Sequence, residues 1–391
     1  MTKHIDIVIV GAGIIGLSAA YAILETIDNL DYTIHIIAEY GPHDRSNPDL
    51  IKYKRYTSPW AGAHFRPFPS LTDQDYYESK LTRLTYEKFK LLSLIKDSSI
   101  KLVKGIEFFE RDDIDVKNKG YYEDIDQFKV LDERDFPKHL SKEDNSLIKI
   151  NSGTSYLTWV LNAPHYLQYL YKILDKNDKV RFIQRKLSCL NEVNEIIDNY
   201  PIIINSSGKG LQYFTGTSSS NYDDQSYPIR GQTLLIDPPQ TSTTDYYLNR
   251  TITHQSKDGL WTFIIPRPLN GGIILGGTKQ IKDEDESVKQ SDTQQLISRG
   301  KELFPQLMKV NVTTGEKYFD IKRINVGFRP ARIGGFNNSI EYKDVKNKKL
   351  NHVLNNYGAG GMGYELSYGA GVVISDNLKK LIEFDNLNSH L

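Results

Sequence analysis

Ile5-Asp6-Ile7-Val8-Ile9-Val10 is a β-branched run of strand length that stops at Gly11, where Gly11-Ala12-Gly13-Ile14-Ile15-Gly16 begins. β-Branched side chains favour an extended backbone. From Ile14 onward, Leu17, Ala20, Tyr21 and Leu24 recur at helical spacing. Residues 32–38 are a second apolar strand, with Glu39 at its end. Strand, glycine turn, helix and strand in that order make a βαβ unit, which commits the chain to a parallel sheet covered by helices. In such a turn the first glycine allows the tight bend, the second lets a pyrophosphate approach the backbone, and the third permits close helix–strand contact. Amides at the helix start supply donors and the positive end of the dipole. Glu39 stands 23 residues after Gly16, where an acid binds a ribose hydroxyl. An acid there disfavours a 2′-phosphate, so FAD or NAD is expected rather than NADP. The fingerprint does not separate those two.

The remaining composition narrows the class. With 391 residues the chain is long enough for about two domains. Lys and Arg number 49 against 49 Asp and Glu, which removes the electrostatic case for nucleic-acid or anionic-membrane binding. A single cysteine, Cys189, excludes an internal disulfide and a cysteine-rich metal site, and suits a reducing compartment. Residues 5–24 are the longest apolar stretch, but Asp6 and three glycines divide it, so neither a signal peptide nor a membrane span is expected. A mean hydropathy of −0.47 fits a soluble protein.

Along the chain, residues 40–70 hold Gly, Pro, Asp and Ser clusters and are expected as loops. A helix is expected over 73–96, with Tyr77, Leu81, Leu84, Leu91 and Ile95 on its apolar face. A second is expected over 157–174, followed by strands at 180–184 and 201–205, the latter running into Ser206-Ser207-Gly208. Residues 215–330 suggest hairpin strands, with the acidic run 282–286 as a solvated loop rather than a metal site. A strand at 353–354, a dense glycine turn and a helix over 366–384 close the chain. No metal site is expected.

Several segments carry a resemblance to a known family. They are Val8-Ile9-Val10-Gly11-Ala12-Gly13-Ile14-Ile15-Gly16-Leu17-Ser18, Thr57-Ser58-Pro59-Trp60-Ala61-Gly62-Ala63 and Tyr227-Pro228-Ile229-Arg230-Gly231-Gln232. Ile264-Ile265-Pro266-Arg267-Pro268, Gly276-Gly277-Thr278, Gly327-Phe328-Arg329-Pro330 and Asn356-Tyr357-Gly358-Ala359-Gly360-Gly361-Met362-Gly363 follow in order. The chain resembles the D-amino-acid oxidase / D-aspartate oxidase family of FAD enzymes nearly end to end. The resemblance implies an α/β fold. A Rossmann-like FAD-binding domain (residues 1–62, 150–212 and 318–391) is interleaved with an antiparallel-sheet α+β substrate domain (63–149 and 213–317). It implies FAD as cofactor, contacted by Gly11, Ala12, Gly13, Ile14, Ile15, Gly16, Glu39, Ser58, Ala61, Gly62, Ala63, Leu187, Ser207, Gly208, Arg329, Gly360, Gly361, Met362, Gly363 and Tyr364. Amides of residues 360–364, at a helix entrance, are then expected to stabilise negative charge on the reduced ring. The family usually has His at Asn355 and Ala at Gly371; neither difference removes a backbone donor.

The implied chemistry is transfer of the α-hydride of a D-amino acid to flavin N5 and reoxidation by molecular oxygen. The products are hydrogen peroxide and an imino acid that hydrolyses to a 2-oxo acid and ammonia. Arg329 looks like the family arginine that grips the α-carboxylate, because a bidentate guanidinium supplies orientation as well as energy. Phe263 stands where members commonly have a tyrosine hydroxyl. Lys279 stands where fungal enzymes for neutral substrates often have a second tyrosine, and where D-aspartate oxidases carry an arginine that reads a distal carboxylate. His64 replaces a frequent Asn, with Arg66 close by. The expectation is an acidic substrate such as D-aspartate or D-glutamate, met by Lys279 with help from His64 or Arg66. Neutral D-amino-acid oxidation and a sarcosine- or glycine-type amine oxidase or dehydrogenase are the alternatives, and a non-catalytic flavin protein is a third. Ser389-His390-Leu391 resembles the Ser-Lys-Leu peroxisomal address, implying an import receptor as partner. A homodimer is compatible with the resemblance.

Overall fold

The computed structural model describes residues 4–46, 49–111, 115–137, 150–198, 200–213, 223–345 and 349–388. In chain order the elements are β1 (Ile5–Val10), α1 (Ile14–Thr26), β2 (Tyr32–Ala38), α2 (Asp73–Leu92), β3 (Lys101–Phe109), α3 (Lys119–Tyr122), β4 (Lys129–Val130), β5 (Ser152–Val160) and α4 (Ala163–Asp175). They continue with β6 (Val180–Gln184), β7 (Ile202–Asn205), β8 (Ser226–Asp237), α5 (Ser242–Leu248), β9 (Arg250–Gln255), β10 (Trp261–Pro266), β11 (Ile273–Gly276), β12 (Gln280–Ile281) and α6 (Gln290–Leu303). The last are β13 (Lys309–Val310), β14 (Lys317–Tyr318), β15 (Asp320–Arg332), β16 (Ile340–Val345), β17 (Lys349–Asn355) and α7 (Gly363–Asn388). The chain divides into two units, Met1–Pro59, Pro164–Ile229 and Phe328–Leu391 in the first, Trp60–Ala163 and Arg230–Gly327 in the second.

The first unit is built on a sheet of order β16-β17-β7-β1-β2-β6. All neighbours are parallel except the edge strand β16, which runs antiparallel to β17. Ile7, Val8 and Ile9 are all buried, as expected for a strand covered on both faces. Helix α1 lies against α7, and the crossing is close at Gly371, where a Cβ would sit 2.8 Å from the Ser18 carbonyl oxygen. The alanine that the family usually has there would push the two helices apart. Asn355 is buried and donates to Glu341 and Ser339, at 2.8 and 3.0 Å. It ties β17 to its edge strand.

The second unit carries the sheet β12-β8-β11-β10-β9-β3-β5-β4, with β15 beside β8. Most pairs are antiparallel, and β3 with β9 is parallel. Ile106, Phe108, Leu234, Ile236, Ile264, Leu275, Leu296 and Phe319 form its core. Each such side chain contributes about 1.5–3 kcal/mol by leaving water.

Three expectations change. Residues 157–160 are strand, not helix: β5 pairs with β3 along its whole length, and α4 starts only at Ala163, with Pro164 in its first turn. Helix α2 exists, with Thr72 and Asp75 forming a capping box, but it buries a different face. Tyr77, Leu84, Leu91 and Ile95 are exposed, whereas Leu81, Thr82, Thr85, Tyr86 and Phe89 are buried. The unit divisions fall after residues 59, 163, 229 and 327, rather than after 62, 149, 212 and 317. Residues 152–160 belong with the second unit because β5 is a strand of its sheet.

Candidate active site

The glycine turn of the first unit forms at the carboxyl ends of β1 and β7. Gly11 has φ +110°, and a Cβ there would run into the Ser206 carbonyl oxygen. A Cβ on Gly16 would likewise collide with the Gly11 carbonyl. Both positions therefore require glycine. The Gly11 amide donates to Ile37 at 2.9 Å and that of Ser206 to Val10 at 3.0 Å, so the turn is anchored to both neighbouring strands. Gly13 caps α1 without a side-chain bond. The missing cap is supplied from a distance, because the Ile14 amide donates to Ser58 Oγ at 2.9 Å. Tyr364 Oη donates to the Ser58 carbonyl at 3.0 Å, and Tyr56 Oη to that of Ala12 at 2.7 Å. Tyr56 was not singled out by sequence reasoning; its only signal is its place beside Thr57-Ser58-Pro59.

Glu39 follows β2 at the same end of the sheet, with a Lys186 ammonium 3.8 Å from its carboxylate. Both side chains are exposed, so the pair contributes little. Leu187 packs into the apolar cluster of Val8, Val10, Ile37 and Val353 beneath the strand ends. Ser207 and Gly208, φ +56°, follow β7.

Arg329 lies on β15, between two fixed neighbours. The Phe328 carbonyl accepts from Thr57 Oγ1 at 2.8 Å, and the buried Lys209 ammonium sits 4.0 Å from the Phe328 ring centroid. On the other side the Gly360 amide donates to Pro330 at 2.8 Å. Gly361 runs alongside the arginine stem, with its Cβ position 3.6 Å from Arg329 Cδ. Burial pulls the Arg329 guanidinium below its ordinary pKa, yet an arginine remains charged in a protein. A desolvated guanidinium gains most from a carboxylate. Of the amides expected to meet a cofactor ring, two are committed inside the chain, Gly360 to Pro330 and Met362 to Ala359 at 2.9 Å.

The second unit holds the other expected site residues. Residues 61 and 62 are gripped by buried Arg267, whose Nη2 donates to Ala61 at 2.7 Å and Nε to Gly62 at 3.2 Å. His64 forms an isolated bridge with Val160, and its buried Nδ1 has no hydrogen-bond partner among the described residues. Desolvation and the Arg66 charge push the imidazole down to about 3, so at neutral pH it offers hydrogen bonds but no positive charge. Arg66 is engaged within the second unit. Its Nη1 is 3.5 Å from the fully buried Glu107 carboxylate, and its guanidinium lies 4.0 Å from the Trp261 ring centroid. Phe263 faces Gly276 across the β10–β11 ladder, and its ring fills the space that a Cβ on Gly276 would take. Lys279, two residues beyond Gly277, is exposed and has no ion pair among the described residues. The structure therefore groups Arg329 with the glycine segments in one unit, and places His64, Phe263 and Lys279 in the other. No cluster of residues suited to a metal is present among the described residues.

The sequence pattern of a family described as FAD dependent oxidoreductase matches residues 6–377. A D-amino-acid oxidase of Schizosaccharomyces pombe is 32% identical over 368 residues, covering 94% of each chain. A D-aspartate oxidase of Talaromyces thermophilus is 30% identical, covering 95% of this chain and 94% of the relative. Among solved structures, a glycine oxidase from Bacillus cereus superposes with a TM-score of 0.65 at 14% identity, covering 97% of this chain and 95% of that one. That similarity concerns the fold.

Proposed function

This chain belongs to the FAD dependent oxidoreductase family, and from that premise we propose that it oxidises D-amino acids with molecular oxygen, preferring those with an acidic side chain. The products are a 2-oxo acid, ammonia and hydrogen peroxide. The cofactor is FAD, and the cradle at the strand ends suits a dinucleotide: Gly11 and Gly16 leave no room for side chains, and the positive end of the α1 dipole favours an anion beside it. Gly11, Gly13 and Gly16 with Ser58 would hold the pyrophosphate, Glu39 a ribose hydroxyl, and Gly361, Gly363 and Tyr364 the ring end. When bound, FAD supplies the two-electron acceptor.

The chain's own residues bind and orient. Arg329 receives the α-carboxylate in a bidentate grip, which sets the face of the α-carbon presented. Its stem beside Gly361 carries this reading. Phe263 offers that carboxylate no hydroxyl, so Arg329 bears more of the anchoring. Lys279 receives the distal carboxylate as a point charge. His64 adds a neutral hydrogen bond only. The relatives support the class, since one is named for D-amino acids in general and another for D-aspartate. The C-terminal Ser389-His390-Leu391 supports peroxisomal import of a peroxide-forming enzyme, and lies outside the described residues. A peroxide-coupled screen of D-amino acids beside their L-enantiomers tests the proposal. Turnover led by D-aspartate and D-glutamate is expected; turnover of D-alanine without D-aspartate would remove the acidic preference.

A further inference from the structure

A lysine recognises a carboxylate as a point charge on a long flexible stem, so any selectivity it confers depends on how firmly its backbone is held. Lys279 lies in a short segment after β11 that is tied down on both sides. Before it, Arg299 Nη2 donates to the Gly277 carbonyl at 3.3 Å. The Thr278 amide donates to Gln232 at 3.2 Å, while the Gln232 amide donates to Thr278 Oγ1 at 2.8 Å. After it stands Gln280, whose side chain enters a polar hub around Arg230.

Arg230 is fully buried, and its guanidinium is saturated. Nε donates to the Asp285 carbonyl at 2.7 Å, and Nη2 to those of Ser287 at 2.6 Å and to Gln232 Oε1 at 3.1 Å. Nη1 donates to Asp292 Oδ2 at 2.9 Å and to Gln280 Oε1. Gln280 Nε2 closes the ring, donating to both Asp292 oxygens at 3.2 and 3.0 Å. The acidic run 282–286 is held by the same hub, through the Asp285 carbonyl, and by Lys289, 2.5 Å from Asp283. A buried arginine with every donor used fixes its partners in one geometry.

We infer that Gln280, clamped between Arg230 and Asp292, is a positioning residue that fixes Lys279 for the distal carboxylate of an acidic D-amino acid. This rests on the acidic preference proposed above.

The test is a double-mutant cycle on the FAD-loaded enzyme with Gln280→Ala, Lys279→Met and the pair, assayed on D-aspartate and D-alanine. The visible flavin spectrum and the thermal midpoint verify folding. Gln280→Ala is expected to lower the D-aspartate to D-alanine ratio of kcat/KM about tenfold, roughly 1.4 kcal/mol, with the change in KM rather than kcat. Combined with Lys279→Met it should add nothing to the loss that Lys279→Met causes alone. If Lys279→Met lowers the ratio while Gln280→Ala leaves it unchanged or lowers it additively, the positioning role is overturned and the acidic reading stands. If Lys279→Met itself leaves the ratio unchanged, both fall. Gln280→Glu gives a second route: it keeps the acceptor for Arg230 but replaces the donor to Asp292 with a second carboxylate that repels it, and a ratio at or below that of Gln280→Ala supports the clamp. A ratio equal to that of wild type overturns the part assigned to Asp292.

Discussion

The Gly360 amide donates to the Pro330 carbonyl at 2.8 Å, so the late glycine turn is latched to the residue that follows Arg329. The arginine proposed to bind substrate and the turn proposed to line the ring end of the cofactor are thus one construction within the first unit. Gly360 has φ +55° and its Cβ position is roomy, 3.8 Å from Ala331 Cβ. Gly11 has φ +110° and no room. Gly360→Ala should therefore cost about 1 kcal/mol of backbone strain and keep FAD. Gly11→Ala should yield protein that purifies without the flavin spectrum. Absorbance near the flavin band relative to protein absorbance separates the two outcomes.

The Arg66–Glu107 pair makes a separate prediction. Glu107 is wholly buried and also accepts from Tyr121 and, at 3.5 Å, from Tyr156. Burial raises its pKa while Arg66 opposes that rise. Removing one partner of a buried pair leaves the other uncompensated, at about 3–5 kcal/mol. Arg66→Met should lower stability by roughly that amount in denaturant titration. It should alter D-aspartate and D-alanine turnover in equal proportion, because Arg66 is committed to Glu107 and Trp261. A selective loss of D-aspartate turnover would return Arg66 to the substrate site.

What could be read directly from the sequence was local. β1, α1 and β2 follow one another with a clear change of period, and Gly11 and Gly16 have no alternative, so 5–38 was legible residue by residue. The apolar face of α2 was not. Its buried side includes Thr82, Thr85 and Arg83, and Arg83 is satisfied by the Gly120 and Glu123 carbonyls some forty residues on. Composition marks such positions as solvent-facing, and only the tertiary partner reverses that. The stretch around Tyr156 and Trp159 has apolar residues at spacings that suit either a helix or a buried strand; its pairing with β3 decides. The Arg230 hub gathers residues 50 to 62 positions away, and its only early sign was a short matching segment. Arg66 shows the opposite case, a residue that suggests a surface charge and is instead largely buried, paired with Glu107 and Trp261.

His64 gives the pH prediction. Its folded pKa of about 3 lies below the ordinary 6.5, so between those values the unfolded chain takes up a proton that the folded chain refuses. Its contribution to stability is complete above about pH 6.5 and declines as pH falls towards 3, by at most about 1.4 kcal/mol per pH unit. His64→Asn should flatten that part of a stability-versus-pH curve measured by urea unfolding. An unchanged slope would mean that the imidazole is protonated in the folded enzyme.

The central claim concerns Arg329, and kcat/KM of Arg329→Met over a panel of acidic and neutral D-amino acids tests it most directly. Losing a desolvated bidentate carboxylate contact costs about 2–5 kcal/mol, so a fall of about a thousandfold on every substrate is predicted, with the flavin spectrum retained. Turnover close to that of the unmodified enzyme, or a loss confined to acidic substrates, would contradict the account.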